Sequence, residues 1–154
     1  FDLSQRGTVC IDGGNATVSV TNISPIDHSH FKQIAATIGS VDNTNKQVTN
    51  ISANTTINVE FEEDTKYTIT FADKLHGESV SAKSVYSGET FNFPVIADKT
   101  ATTSGTCEQV HYHFMGWVLS THEGTIAAGD IKTGTSAAVT AAATYYAVWA
   151  AEQE

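Results

Sequence analysis

The chain has 154 residues, 40% hydrophobic and 16% charged, and seventeen acids against eight bases give it a formal net charge of −9. These figures exclude a collagen-like repeat, a disulfide-dense miniprotein and a charge-rich disordered tail, and they suit one ordinary domain or two small ones. The Lys and Arg residues are scattered, which argues against nucleic acid as a partner, and no apolar run approaches the ~20 residues that span a bilayer, so no membrane insertion is expected.

The sequence opens at Phe1 without a signal peptide, as a processed N-terminus or an excised piece of a longer protein would. Val9-Cys10-Ile11 and Ala16-Thr17-Val18-Ser19-Val20 alternate apolar and polar residues, and Asp12-Gly13-Gly14-Asn15 between them reads as a hairpin loop. Ser24-Pro25-Ile26-Asp27 has the look of a helix start, and Phe31, Ile34, Ala35 and Ile38 follow helical spacing up to Gly39. Against that, Ile34, Ala36 and Ile38 alternate, and the β-branched content from Thr37 to Val41 favours extended chain; a strand after a turn is the preferred reading. Ile57-Asn58-Val59-Glu60-Phe61 and Tyr67-Thr68-Ile69-Thr70-Phe71 alternate strictly, as strands with one buried face do.

Between those two strands lies Glu62-Glu63-Asp64-Thr65-Lys66, the densest charge run in the chain. It reads as a solvated turn and the best boundary, dividing the chain into a β-rich module at residues 1–63 and a second module at residues 64–151. The expected fold class is therefore mainly β, β-rich α+β at most, in two small tandem modules. Glu152-Gln153-Glu154 is a second charged punctuation mark.

The second module carries a recognisable series. Tyr67-Thr68-Ile69-Thr70-Phe71 is followed by Gly88, Pro94, Phe114-Met115-Gly116-Trp117, Gly129 and Tyr146-Ala147-Val148-Trp149. This resembles the Listeria–Bacteroides repeat, or internalin-type B repeat, whose pattern runs Y-x-I-x-F, G-x-x, P, F-x-G-W, G and Y-A-x-W. The resemblance implies a small β-grasp-like module, strung in tandem on bacterial cell-surface and secreted proteins, with no cofactor. One departure is the stretch from Ala97 to His111, longer than the family's short loop: a partner-contacting loop or a tolerated surface excursion. Val48 to Phe61 is similar to the closing cadence of related surface repeats, which makes the first module a divergent relative.

Elementary physics accounts for the series. Gly116 lets the backbone turn or bulge so that Phe114 and Trp117 pack on one core, which Trp149 closes, with Tyr146 in the same structural motif. The sharper alternative turns an exposed ring, Trp117, Trp149, Tyr112, Tyr146 or Tyr86, into a sugar-stacking platform.

Two other groups of residues invite chemistry. Cys10 and Cys107 form no CxxC; they can pair in an oxidising compartment, closing a loop of ~100 residues that contributes roughly 4–5 kcal/mol, or remain thiols. His28-Ser29-His30 and His111-Tyr112-His113 place imidazoles at i and i+2, on one face of a strand, which suits Zn²⁺ if His76, His122, Asp27 or Glu108 supplies a third ligand. The plainer reading is a wet strand face with no metal. There is no G-x-S-x-G, H-E-x-x-H or phosphate loop, and no catalytic residue is singled out. The expected function is a non-enzymatic extracellular spacer, stalk or adhesion module pair that meets neighbouring modules and a protein or glycan partner. A carbohydrate-binding module, or a structural subunit of a filament or phage particle, is the alternative.

Overall fold

The computed structural model describes residues 5–9, 16–20, 27–102, 109–122 and 124–153. The chain divides into two compact units, Phe1–Asp64 and Thr65–Glu154. It is β-rich throughout: eleven strands and two single-turn 3₁₀ helices, Ser120–His122 and Ala128–Asp130, account for its regular structure among the described residues.

Unit 1 contains β1 (Gln5–Val9), β2 (Ala16–Ser19), β3 (Ser29–Ala36), β4 (Ser40–Asp42), β5 (Gln47–Ile51) and β6 (Thr55–Glu63). These form two antiparallel three-stranded sheets, ordered β1-β6-β3 and β2-β5-β4. Alternation in β6 buries Ile57, Val59 and Phe61, which meet Ile34 of β3 and Val48 and Ile51 of β5 in one cluster joining both sheets. Extended chain wins over helix at Ser29–Ala36 because β6 offers it a full antiparallel partner, Ile34 level with Val59. The proposed helix start at residues 24–26 lies outside the described residues.

Among the described residues, the first two strands do not pair as the expected hairpin. β1 and β2 belong to different sheets, β1 pairing with β6 and β2 with β5. Local turn chemistry is overridden here because the nine-residue β6 gives β1 a longer edge than the four-residue β2 can. The connecting residues 10–15 are outside the described set.

Unit 2 contains β7 (Lys66–Ala72), β8 (Lys83–Tyr86), β9 (Lys99–Thr102), β10 (Gln109–Leu119) and β11 (Ala143–Gln153) in one sheet, ordered β8-β7-β11-β10-β9. The two central strands, β7 and β11, are parallel, with Ile69 level with Ala143 and Ala72 with Tyr146; every other pair is antiparallel. That order around a parallel central pair is the arrangement of a β-grasp sheet. The helix of a β-grasp is missing among the described residues. Two extended segments take over its task of covering the core, bonded to each other by Gly88 N to Val139 O (2.8 Å), Val139 N to Glu89 O (2.7 Å) and Phe93 N to Gly134 O (2.8 Å). They bring Phe91, Phe93 and Val139 against Ile69, Phe71, Val85 and Trp117 of the sheet.

The stretch expected as a long loop from Ala97 to His111 is, where described, largely strand. Lys99–Thr102 pairs with Tyr112–Gln109 as the sheet's outermost hairpin. Residues 103–108 lie outside the described residues, Cys107 and Glu108 among them, as does Cys10.

Candidate functional site

The aromatic series of β10 and β11 is built around a bulge. The register between the two strands shifts between Phe114 and Gly116, and Gly116 has φ +130°, a conformation that side chains disfavour. The bulge turns Met115 outward and lets Trp117 drop fully into the core, where its indole Nε1 donates to Pro94 O at 2.7 Å and its ring meets Phe71 edge-on at 4.9 Å. Trp117 N and Lys132 N each donate to the other's carbonyl, at 2.9 and 2.7 Å, which fixes the segment passing over Gly116. Phe114 sits level with Trp149, their rings 5.4 Å apart.

Trp149 is half-buried, and its Nε1 donates to Asp73 Oδ1 at 3.1 Å. Asp73 is a buried acid just beyond the end of β7. Burial pushes its pKa up, but the His76 N–H, the Trp149 indole, and the Glu78 and Leu75 N–H groups outweigh that and hold the carboxyl below the usual carboxylate value. Next to it, the Lys74 ammonium lies 3.9 Å from the centre of the Tyr146 ring. Lys66 covers Tyr86 at 4.7 Å, and the His76 ring packs edge-on to Tyr112 at 4.7 Å. Each tyrosine considered as a stacking platform thus already has a partner on its ring. Asp73 is not among the residues that sequence reasoning singles out; its signal is an acid closing an alternating strand just before a turn ending in Gly77, where a side chain caps free N–H groups.

The histidine pairs do not act as pairs. His28 lies in the turn before β3 with φ +60°, its Nδ1 3.7 Å from Asp27. His30, on β3, sits between two carboxylates of the next unit boundary: Nδ1 is 2.8 Å from Asp64 Oδ1 and Nε2 is 3.0 Å from Glu62 Oε1. His113 repeats the arrangement in unit 2, with Nδ1 2.9 Å from Asp98 Oδ2 and Nε2 3.5 Å from Glu152 Oε2. His111 Nδ1 faces Thr100 Oγ1 at 3.2 Å, and His122 Nδ1 lies 3.5 Å from Asp130 Oδ1. His76 Nε2 is buried without a hydrogen-bond partner.

Carboxylates only accept, so a ring with one at each nitrogen satisfies both by donating from both nitrogens in its protonated form, which this arrangement favours. Hydrogen bonds to Asp64 and then Glu62 raise the pKa of His30, and the bond to Asp98 does the same for His113. Such a ring has no lone pair left for a metal. Among the described residues no group of three or more His, Cys, Asp or Glu is placed to hold one.

Neither a protein-family model, a curated protein nor a solved structure matches this chain.

What the arrangement does chemically is fasten strands. His30 ties β3 to the end of β6, and His113 ties β10 to the segment before β9 and to the far end of β11. The acids at 62–64, expected as a solvated turn, are therefore engaged: Glu62 and Asp64 are the two jaws on His30. Unit 2 also has an open groove of about 870 Å³ between Thr68–Thr70 and residues 132–145. Phe91, Phe93 and Tyr145 contribute to its wall, and small residues such as Ala137 and Ala142 leave it unfilled. Among the described residues its lining holds many Thr and Ser hydroxyls, one cation, Lys132, whose Nζ donates to Gly129 O at 2.9 Å, and no acid.

Proposed function

We propose that the chain is a non-enzymatic spacer or adhesion segment of a larger bacterial surface or secreted protein, working outside the cell. The parallel pairing of β7 and β11 carries this reading. The chain comes into unit 2 at Lys66 and leaves at Gln153, and with Ala143 level with Ile69 these points lie at opposite ends of one sheet, about 40 Å apart at ~3.3 Å per residue. A unit threaded lengthwise adds its own length to whatever follows it. The aromatic series supports the same reading, because Phe114, Gly116, Trp117, Tyr146 and Trp149 serve one core and its edge, as modules strung in tandem need. A net charge of −9 keeps such a surface from sticking to anionic neighbours. The test is to display a fluorescent reporter on a bacterial surface with and without the full chain beneath it, and to measure its height by energy transfer from a membrane dye. A rise of about 4 nm is expected from the strand geometry; no rise overturns the reading.

The groove favours glycan binding as a second reading. A hydroxyl-lined trough with aromatic carbons in its wall and a single cation, Lys132, suits a neutral sugar chain. Neutral oligosaccharides added to the labelled chain should shift the amide signals of Thr68, Thr121 and Thr140 saturably; unchanged spectra at millimolar sugar remove this reading.

A further inference from the structure

We infer that unit 2 is a mechanical clamp and unit 1 is not: tension between the chain's ends peels unit 1 apart strand by strand while unit 2 holds. The inference stands on strand order and holds or fails independently of any spacer role.

In unit 2, tension pulls β7 backward from Lys66 and β11 forward from Gln153. Parallel neighbours must then slide along each other, so the bonds between Ile69–Ala72 and Ala143–Tyr146 are strained together rather than in turn. Water cannot easily replace them. Both strands are interior to the sheet, Ile69 and Phe71 are 1% and 5% exposed, and the Tyr145 ring stacks on Phe71 with centres 6.1 Å apart.

Side chains continue the grip past the last backbone pair. Asp73 and Lys74 directly follow β7, and they hold β11 through the Trp149 indole at 3.1 Å and the Tyr146 ring at 3.9 Å. The Tyr-Ala-Val-Trp segment is thus the part of β11 that resists slippage against β7, and its two rings reach the same short turn.

Unit 1 is arranged the other way. Its first strand, β1, lies antiparallel to its last, β6, with Gln5 level with Val59 and Val9 with Thr55. The chain comes in at Gln5 and leaves beyond Glu63 at the same end of that pair, so tension separates the strands sideways and breaks one rung at a time. Among the described residues β1 is also an edge strand, bonded only to β6. The His30 fastener joins β3 to β6 and does not oppose its release.

The test is single-molecule stretching of the full chain by its two ends in reducing buffer. Two steps are expected, since freeing unit 1 releases about 20 nm of chain and freeing unit 2 about 27 nm at ~3.6 Å per residue. The longer step should come second and at several-fold higher force. A second attachment isolates direction from stability. With Cys10→Ser and Cys107→Ser, a handle at Gln109→Cys and one at the C-terminus pull on β10 and β11 from the end where Val110 is level with Gln153. The same unit should then open at a several-fold lower force, with its tryptophan emission before stretching unchanged. A longer step at or below the force of the shorter one, one merged step, or equal forces in the two attachments overturns the inference.

Discussion

Replacing Gly116 with alanine tests the bulge on which the aromatic series depends. At φ +130° a Cβ costs about 1–3 kcal/mol of backbone strain. The added atom would also lie 2.7 Å from Lys132 O, 2.7 Å from Thr133 Cγ2 and 2.8 Å from Ile131 Cγ2. All three belong to the segment bonded to Trp117, so the neighbour can yield only by breaking the paired hydrogen bonds at 2.7 and 2.9 Å. Overpacking of this kind adds about 1–3 kcal/mol, and together the two effects make Gly116→Ala cost about 2–6 kcal/mol. Both tryptophans and all five tyrosines of the chain lie in unit 2, so indole fluorescence during urea denaturation follows that unit alone. With roughly 4–8 °C lost per kcal/mol, the thermal midpoint should fall by at least about 8 °C. Gly134→Ala is the control: its φ is +67° but nothing lies within 4 Å of the new Cβ, so only about 1 kcal/mol is expected. If Gly116→Ala loses no more than Gly134→Ala, the bulge is not what the glycine is for.

Trp117→Phe leaves Pro94 O without its 2.7 Å donor and a void beside Phe71, and should cost unit 2 about 2–4 kcal/mol by urea denaturation followed through Trp149; a loss below 1 kcal/mol contradicts the packing described. Thr55 is buried, and its Oγ1 accepts from Ile38 N at 2.9 Å, so Thr55→Val strands that N–H and should destabilise unit 1 by about 1–3 kcal/mol, read as faster amide exchange at Ile57 and Val59; unchanged exchange refutes it. His30 and His113 have folded pKa values raised above 6.5, so the stability they contribute is complete below pH 6.5 and is lost as pH rises through those folded values. Asp98 is held below 3.8, first by the Phe114 N–H and then by His113, so its contribution is present above pH 3.8 and is lost as pH falls through its folded value. Unit 2 should therefore be most stable between about pH 4 and 6.5, and proton NMR titration should find both imidazoles above 6.5; values at or below 6.5 contradict the fasteners.

The sequence made some of this legible and hid the rest for physical reasons. Period-two alternation exposed β6 and β7 because their buried residues, Ile57 to Phe61 and Ile69 to Phe71, face a core on one side only. Lys99–Thr102 has no such rhythm: an edge strand on a solvated arm is held by backbone bonds, which leave no trace in side-chain type. The turn at Asp12–Asn15 suggested a hairpin because turn chemistry is local, whereas the choice between β2 and β6 as partner for β1 is made by sheets assembled from distant segments. The histidines were visible but their partners were not. Asp64 and Glu62 stand 34 and 32 residues from His30, and Asp98 15 from His113, so only the fold brings them together. The Phe-x-Gly-Trp and Tyr-Ala-Val-Trp segments were legible as core, while the contact of Trp149 with Asp73 spans 76 residues and belongs to the fold alone.

The central position of β11 also sets the order of events during biosynthesis. β7 is made early in its unit, yet its parallel neighbour is the last of that unit's described strands. Until β11 has cleared the ribosome, the middle of the sheet has a gap, and Ile69 and Phe71 lack much of their cover. Unit 1 is complete in sequence by residue 64 and can close while the rest is still emerging. The second unit closes only on its last segment, by a long-range contact that makes folding slow compared with a local hairpin. Unit 2 therefore stays open until β11 has been made, and stiffens only then.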